Sequence, residues 1–349
     1  MSAAAGTGIG AQFAVEHASR SSRIGGAIFA IAFVALVAAP AFAGRDDLRL
    51  LSEIFSYIVL ASLWNLLAGY AGLVSVGQQA YVGLGGYVLF AATILAGVPP
   101  LIAVPLAGIA GALLALPVAG LMFRLRGHYF AIGTWVVAEV FRLLASQLSA
   151  LGGGSGISLP AGIVISMAAT RQWREFLIYW VSLALLVAVL GGIVLLLRSR
   201  YGLALTAIRD NEIAARSNGV DVWRVKLAIY VAAALGTSMM GALIFLQKLR
   251  ISPDTAFSVN DWTAFVIFIT VIGGIGRVEG PIIGTLVFFI LRRTLADLGS
   301  LYLLMLGAVA IAVMLFAPKG IWGFVAGRFG WQLLPLERRL RFAADTRTK

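Results

Sequence analysis

IFSYIVLASLWNLLAGYAGLVSVGQQAYVGLGGYVLFAATILAGVPPLIAVPLAGIAGALLALPVAGLMF, residues Ile54 to Phe123, runs for 70 residues without an Asp, Glu, Lys or Arg. A membrane-spanning helix needs about 20 apolar residues at a rise of about 1.5 Å each. The stretch therefore holds three spans with about ten residues over. Working outward, Ile24–Ala43, Phe176–Leu197, Leu227–Gln247 and Leu298–Pro318 are further uncharged runs near spanning length. His128–Gln147 reads as a span interrupted by Glu139 and Arg142, and Trp262–Gly276 and Gly280–Leu291 are shorter and glycine-rich. The expected fold is an all-α integral membrane protein of about ten transmembrane helices. A re-entrant hairpin over Trp262–Leu291 is the alternative for the two short runs.

Composition agrees. Of 349 residues, 60% are hydrophobic and 12% charged, where a soluble domain carries about 25% charge. Mean hydropathy is +0.96. No cysteine is present and the only histidines are His17 and His128, so no disulfide framework or Cys-based metal site is expected. The net charge of +12 could mark a nucleic-acid or an anionic-lipid partner. The basic residues lie between apolar runs and at the C-terminus, which is how membrane proteins set orientation, so lipid is expected and nucleic acid is not.

Ten spans put both termini on one side. With the N-terminus, the Arg124/Arg126 turn, the Arg198–Lys226 loop, Arg277 and the chain after Pro318 on the cytoplasmic side, that side holds 18 of the 27 Lys and Arg residues. The outer loops hold 8 and Arg142 lies within a span, a bias that matches the positive-inside rule. The expected division is a cytoplasmic tail over 1–23, a permease domain over 24–323 and a basic cytoplasmic tail over 324–349, with no function assigned to the tails. Ala41-Phe42-Ala43 has the form of a signal-peptidase site. The 20-residue run before it exceeds a usual leader core of about 7–15, so it is read as a span.

Three segments stand out. In Gly72–Tyr87, glycines and the adjacent amides Gln78 and Gln79 fall inside the uncharged stretch, where unsatisfied polar groups have no water. The spare residues fit a broken or half helix, whose N-terminus offers N–H groups and partial positive charge to a substrate carboxylate. Close packing through glycine is the alternative. Ser75, Gly77, Gln78, Gln79 and Tyr81 are the candidate substrate-pathway residues.

Arg198–Lys226 is the longest hydrophilic loop. An amphipathic helix is predicted over Leu203–Ser217, with Leu205, Ile208, Ile213 and Ala215 apolar and Gly219 as its stop. It is either a solvated loop or a surface for a partner's groove. In the third segment, Gly276, Gly280 and Gly284 recur every four residues and predict one bare helix face for close packing, with Arg277/Glu279 at a cytoplasmic turn.

Glu139 is the only carboxylate well inside a run, and Arg142 stands three residues on, within reach of a pair. A proton-driven pump would carry several buried carboxylates or histidines. No phosphate-binding Gly-x-x-x-x-Gly-Lys-[Ser/Thr] and no catalytic motif occurs. An energy-dependent role therefore requires another chain.

Gly72–Tyr87, Leu125-Arg126-Gly127-His128-Tyr129-Phe130-Ala131-Ile132, Arg200–Lys226, Gly273–Gly284 and Phe316-Ala317-Pro318-Lys319-Gly320-Ile321-Trp322-Gly323 stand in that order. Together they resemble the LivM-type permease of branched-chain amino-acid ABC importers, from about Ile54 to Gly323. The resemblance implies a bacterial inner-membrane importer with a sister permease subunit, two cytoplasmic ATPases that hold ATP and Mg, and a periplasmic binding protein. No cofactor is expected in this chain. The implied ATPase-coupling residues are Arg209, Asp210, Asn211, Glu212, Ala214, Ala215 and Gly219. Aligned on Gly219, the Glu-Ala-Ala-x-x-x-Gly pattern of importers has Ile213 in place of Glu, with Glu212 one residue early, leaving Glu212 and Arg209 as rivals to face the ATPase. Gly77-Gln78-Gln79 also departs from relatives in which His follows this Gly.

The implied cargo is a branched-chain or other small neutral amino acid; relatives also carry urea or short amides. Binding-protein docking is expected on Ser149–Glu175, where Gly152–Gly156 reads as flexible, and on Arg250–Asp261. A stand-alone carrier or channel and a non-transporting scaffold are the rival readings.

Overall fold

The computed structural model describes residues 13–16, 30–168, 170–295, 299, 301–317, 319–329 and 339–342. Most of the expected tails, and Pro318, lie outside the described residues. The helices are α1 (Ala30–Ala41), α2 (Arg45–Asn65), α3 (Gln78–Ile94), α4 (Pro100–Met122), α5 (His128–Ser146), α6 (Ala161–Met167), α7 (Arg171–Arg198) and α8 (Arg200–Asp210). They continue as α9 (Glu212–Ser217), α10 (Val222–Lys248), α11 (Pro253–Ala256), α12 (Phe265–Gly273), α13 (Glu279–Leu295), α14 (Leu301–Phe316) and α15 (Gly320–Phe329). α15 runs across the boundary expected at 323/324.

Among the described residues, seven helices are long and apolar enough to cross a membrane. The remaining three of the ten expected positions hold shorter helices: α1, the 17-residue α3 and the 17-residue α13. The Ile54–Phe123 stretch supplies most of α2, all of α3 and all of α4, with the surplus in the breaks at 71–77 and 95–99.

α2 and α10 are the most buried spans. α3 and α4 pack on α10, α7 packs on α2, and α12 and α13 pack on α2 and on each other. The spans approach closely because small residues face each other: a Cβ on Gly85 would overlap the Ser238 carbonyl, and one on Gly241 the Val82 carbonyl. Without a hydrophobic force between helices in lipid, such backbone proximity supplies the packing. α14 is almost wholly exposed and apolar on all sides, the pattern of a lipid-facing span.

The two ends of the bundle differ. At one end, Ile157–Ser158 (β2) pairs antiparallel with Arg250–Ile251 (β3), Arg142 meets Asp254 at 2.8 Å, and Arg49 meets Glu175 at 2.8 Å. We call this the ladder end. The run Gly152–Gly156 follows one 3-10 turn (Ser149–Leu151) and contains a second (Gly153–Ser155), and a Cβ on Gly156 would overlap Ile251 and Ser252. The opposite, long-loop end carries α8 and α9. Phe13–Glu16 (β1) and Arg339–Phe342 (β4) form a second antiparallel ladder that sets the two tail segments side by side.

The α12–α13 hairpin runs most of the length of α2. Arg292 meets Glu53 at 2.6 Å, while Asn65 accepts from the Gly276 N–H at 2.7 Å and donates to the Arg277 carbonyl at 2.8 Å. These contacts lie twelve residues apart on α2, about 18 Å. Gly276 corrects one expectation: it is not on a helix face but in the turn, at φ +77°, because a turn this tight needs a left-handed residue. Gly280 and Gly284 do form a bare face on α13, where a Cβ would overlap the carbonyls of Gly274 and Ile269.

Gly284→Ala should therefore destabilise the hairpin by about 1–3 kcal/mol and lower the melting temperature in detergent. Gly191→Ala, where nothing lies within 4 Å of the new Cβ, should not; equal melting of the two variants would contradict this packing.

Candidate functional site

α2 ends in a widened π turn, Leu66–Tyr70, and 71–77 then leaves the helix. α3 begins at Gln78, whose buried side chain donates from Nε2 to the Leu60 carbonyl at 2.8 Å. Leu60 lies ten residues before the end of the π turn, so α3 starts about 15 Å back along α2. Residues 71–77, extended, can climb up to about 23 Å. The broken helix expected near Gly72–Tyr87 is this climb, and Trp64 fastens it by donating to the Ser75 carbonyl at 2.7 Å.

A break at that depth must satisfy its backbone within the protein, and hydroxyls do so. Val76 N–H donates to Thr134 Oγ1 at 3.0 Å, Gly77 N–H to Ser75 Oγ at 3.2 Å, and Gln79 N–H to Thr263 Oγ1 at 3.3 Å. Thr263 also donates to Gln79 Oε1. The helix start was expected to offer free N–H groups to an anion; these three are already taken. Gly77 has no room for a side chain, since its Cα packs on the Thr134 carbonyl.

Ser75, Gln78 and Tyr81 come together around a small cavity with Trp64, Tyr230 and Thr237, while Gln79 turns away toward Thr263. The cavity measures about 10 Å³, room for at most about one water. Tyr81 and Tyr230 hydroxyls meet at 3.1 Å across it, and Gln78 Oε1 has no hydrogen-bond partner among the described residues. Tyr230 and Thr237 were not singled out from the sequence; their i, i+7 spacing on an apolar helix was the available signal.

At the long-loop end a cavity of about 480 Å³ opens between the climbing segment (Gly72, Val74), the α4–α5 turn (Arg126, His128) and the loop (Glu212, Lys226). The single helix expected over Leu203–Ser217 is two. Asn211 is extended (φ −160°, ψ 109°) and its Oδ1 caps α9 by accepting from Ile213 and Ala214 N–H. Asn competes with the helix ladder and favours the cap. Leu205, Ile208 and Ala215 are buried as expected, but Ile213 is 79% exposed, because the restart at Asn211 rotates it off the buried face.

Glu212 turns inward. Its carboxylate accepts from Lys226 Nζ at 2.8 Å and from Arg216 at 2.8 Å. The Lys226 hydrogen bond, then the charges of Lys226, Arg216 and Arg126, hold its carboxyl below the usual range despite desolvation. Arg209 leans on Asp210 at 3.3 Å and lies near Gly276. Of the elbow's tip, then, Asp210 and Ile213 project rather than Glu212. Ala214 and Ala215 lie within α9, and Gly219, at φ +81°, ends the elbow two residues past it. Within α5, Arg142 binds Glu139 at 2.6 Å as the spacing predicts. Among the described residues no group of three or more His, Cys, Asp or Glu is placed to hold a metal ion.

Residues 48–317 match the family model described as the branched-chain amino acid transport system / permease component. The chain is 30% identical to the high-affinity branched-chain amino acid transport system permease protein LivM of Salmonella typhimurium, over 82% of this chain and 72% of that one. It is also 30% identical to the LivM of Escherichia coli K12, over 84% and 74%. Identity to the ribose import permease protein RbsC of Bacillus subtilis is 28%, over 74% and 84%. No solved structure matches the chain.

Two outcomes follow from this geometry. Thr263→Val strands two buried Gln79 groups and should cost about 1–3 kcal/mol, read as a lower melting temperature. Because the Glu212 carboxyl is held low, its stabilisation is complete at neutral pH and lost as pH falls below the usual carboxylate range. The small melting difference between wild type and Glu212→Gln at pH 7 should persist down to the usual carboxylate range and shrink only as pH falls below it; no difference at pH 7 would contradict the Lys226 pairing.

Proposed function

This chain belongs to the family of branched-chain amino acid transport permease components, and we propose that it forms one wall of an ATP-driven importer whose cargo is a branched-chain or other small neutral amino acid. It is a transport subunit, not an enzyme. A sister permease completes the pore, two ATPases on the long-loop side bind ATP and Mg, and a periplasmic binding protein delivers cargo at the ladder end. The long-loop end and both termini then face the cytoplasm of a bacterial inner membrane, as the charge bias favours.

One observation carries this reading: the elbow of α8 and α9 projects Asp210 and the exposed Ile213 at its tip while its base is fastened to α10 through Glu212–Lys226. A projecting apolar side chain on a fastened elbow is what a partner's groove can grip and move. The elbow turns back at Gly219, whose left-handed backbone a branched residue resists. Transport by rocking of the bundle would pass the cargo along the break that Ser75, Gly77, Gln78, Gln79 and Tyr81 build. The enclosed cavity there fits a pathway shut in this conformation. Relatives named for ribose import support the machine more firmly than the cargo.

Reconstitution of the full importer in liposomes tests this. Gly219→Val and Ile213→Asp should leave the subunit inserted while lowering ATP-driven leucine uptake at least tenfold. Uptake by this chain alone would favour the stand-alone carrier, and none with all partners present would favour a scaffold.

A further inference from the structure

At the ladder end, a cavity of about 470 Å³ opens between the start of α2, the end of α10 and the end of α13. Its volume lies within the roughly 300–1,000 Å³ of small-molecule sites. Three cations, Arg49, Lys248 and Arg292, and three anions, Asp46, Glu53 and Asp261, line it. Their formal charges cancel, so the cavity as a whole favours neither a cation nor an anion. Glu53 is committed to Arg292 at 2.6 Å, and Arg49 to Glu175 at 2.8 Å. Asp46 sits in the first turn of α2, where the helix end stabilises it.

That leaves Lys248 and Asp261, which line the cavity from different elements without forming an ion pair with each other or with any other described residue. The Lys248 ammonium lies 4.7 Å from the Trp262 ring centroid and 5.6 Å from that of Phe245. Its position is thus set by aromatic faces, with the Asp261 and Glu53 carboxylates near enough to act on its charge but not paired with it. Leu50, Ile244, Tyr57 and Trp262 supply an apolar wall beside the two charges.

We propose that this cavity is a binding site for a free zwitterionic α-amino acid with an apolar side chain, its carboxylate on Lys248 and its ammonium on Asp261. The side chain lies against Ile244, Leu50 and Trp262. Two opposite charges left unpaired beside an apolar wall discriminate by penalty: a ligand lacking either charged group leaves one of them desolvated and unmatched. The site rests on the amino-acid cargo proposed above and adds that the permease itself recognises the cargo at its outer mouth, without the binding protein.

The test is equilibrium dialysis of radiolabelled leucine against the assembled importer in nanodiscs, with the binding protein omitted. Saturable binding is expected. 4-Methylpentanoate, which lacks the ammonium, and 3-methylbutylamine, which lacks the carboxylate, should fail to displace it. Lys248→Gln and Asp261→Asn should each weaken binding at least tenfold while eluting as intact complexes, and Arg224→Gln at the other end should leave it unchanged. Displacement by either analogue as effective as that by unlabelled leucine, or full affinity in both variants, would overturn the site. An importer that takes up leucine with its binding protein yet binds none without it overturns the site and leaves the cargo reading standing. One that neither takes up nor binds leucine, valine, isoleucine or alanine overturns both.

Discussion

Backbone N–H groups inside lipid have no solvent to fall back on, and the fold is organised around meeting that demand at one place. α3 starts at the depth of Leu60, so the segment before it must be satisfied by side chains brought in from elsewhere. Thr134 comes from α5, Thr263 from a second π turn (Asn260–Ala264) before α12, and Trp64 from α2. Three separate spans therefore have to be in register for the break to exist. Two π turns border the break: Leu66–Tyr70 follows Asn65, which meets the α12–α13 turn, and Asn260–Ala264 carries Thr263, which meets Gln79.

The elbow and the break are joined through α10. Lys226, which holds Glu212, and Tyr230, which meets Tyr81, stand four residues apart and so on one face of the helix. Phe123, at the end of α4, packs edge-on against Tyr230 at 5.6 Å between ring centroids. The anchor of the elbow and the wall of the small central cavity are thus neighbouring side chains on one face of α10.

Features that depend on local pattern were legible in the sequence. The absence of charge from Ile54 to Phe123 set the spans, the excess of residues over three spans located the break, and i, i+3 spacing paired Glu139 with Arg142. The membrane architecture follows from these signals, and the family was legible only through the resemblance of five ordered motifs. The misreadings share a cause. Asn211 in a polar loop reads equally as helix or cap, and only the cap rotates Ile213 outward. Gly276 keeps the four-residue interval of Gly280 and Gly284, but periodicity says nothing of where the helix starts. The partners of the break lie 58 and 184 residues away along the chain, and with one sequence no pattern links Thr134 or Thr263 to it. Composition likewise does not reveal the β3 strand that Gly152–Gly156 packs beside.

The outward isoleucine also bears on the fate of a subunit made in excess. Leaving such a side chain in water forfeits about 1.5–3 kcal/mol relative to covering it, on a six-residue helix held by the Asn211 cap and the Glu212–Lys226 pair. A copy made without its partner therefore keeps that side chain in water, and the docking proposed above would cover it.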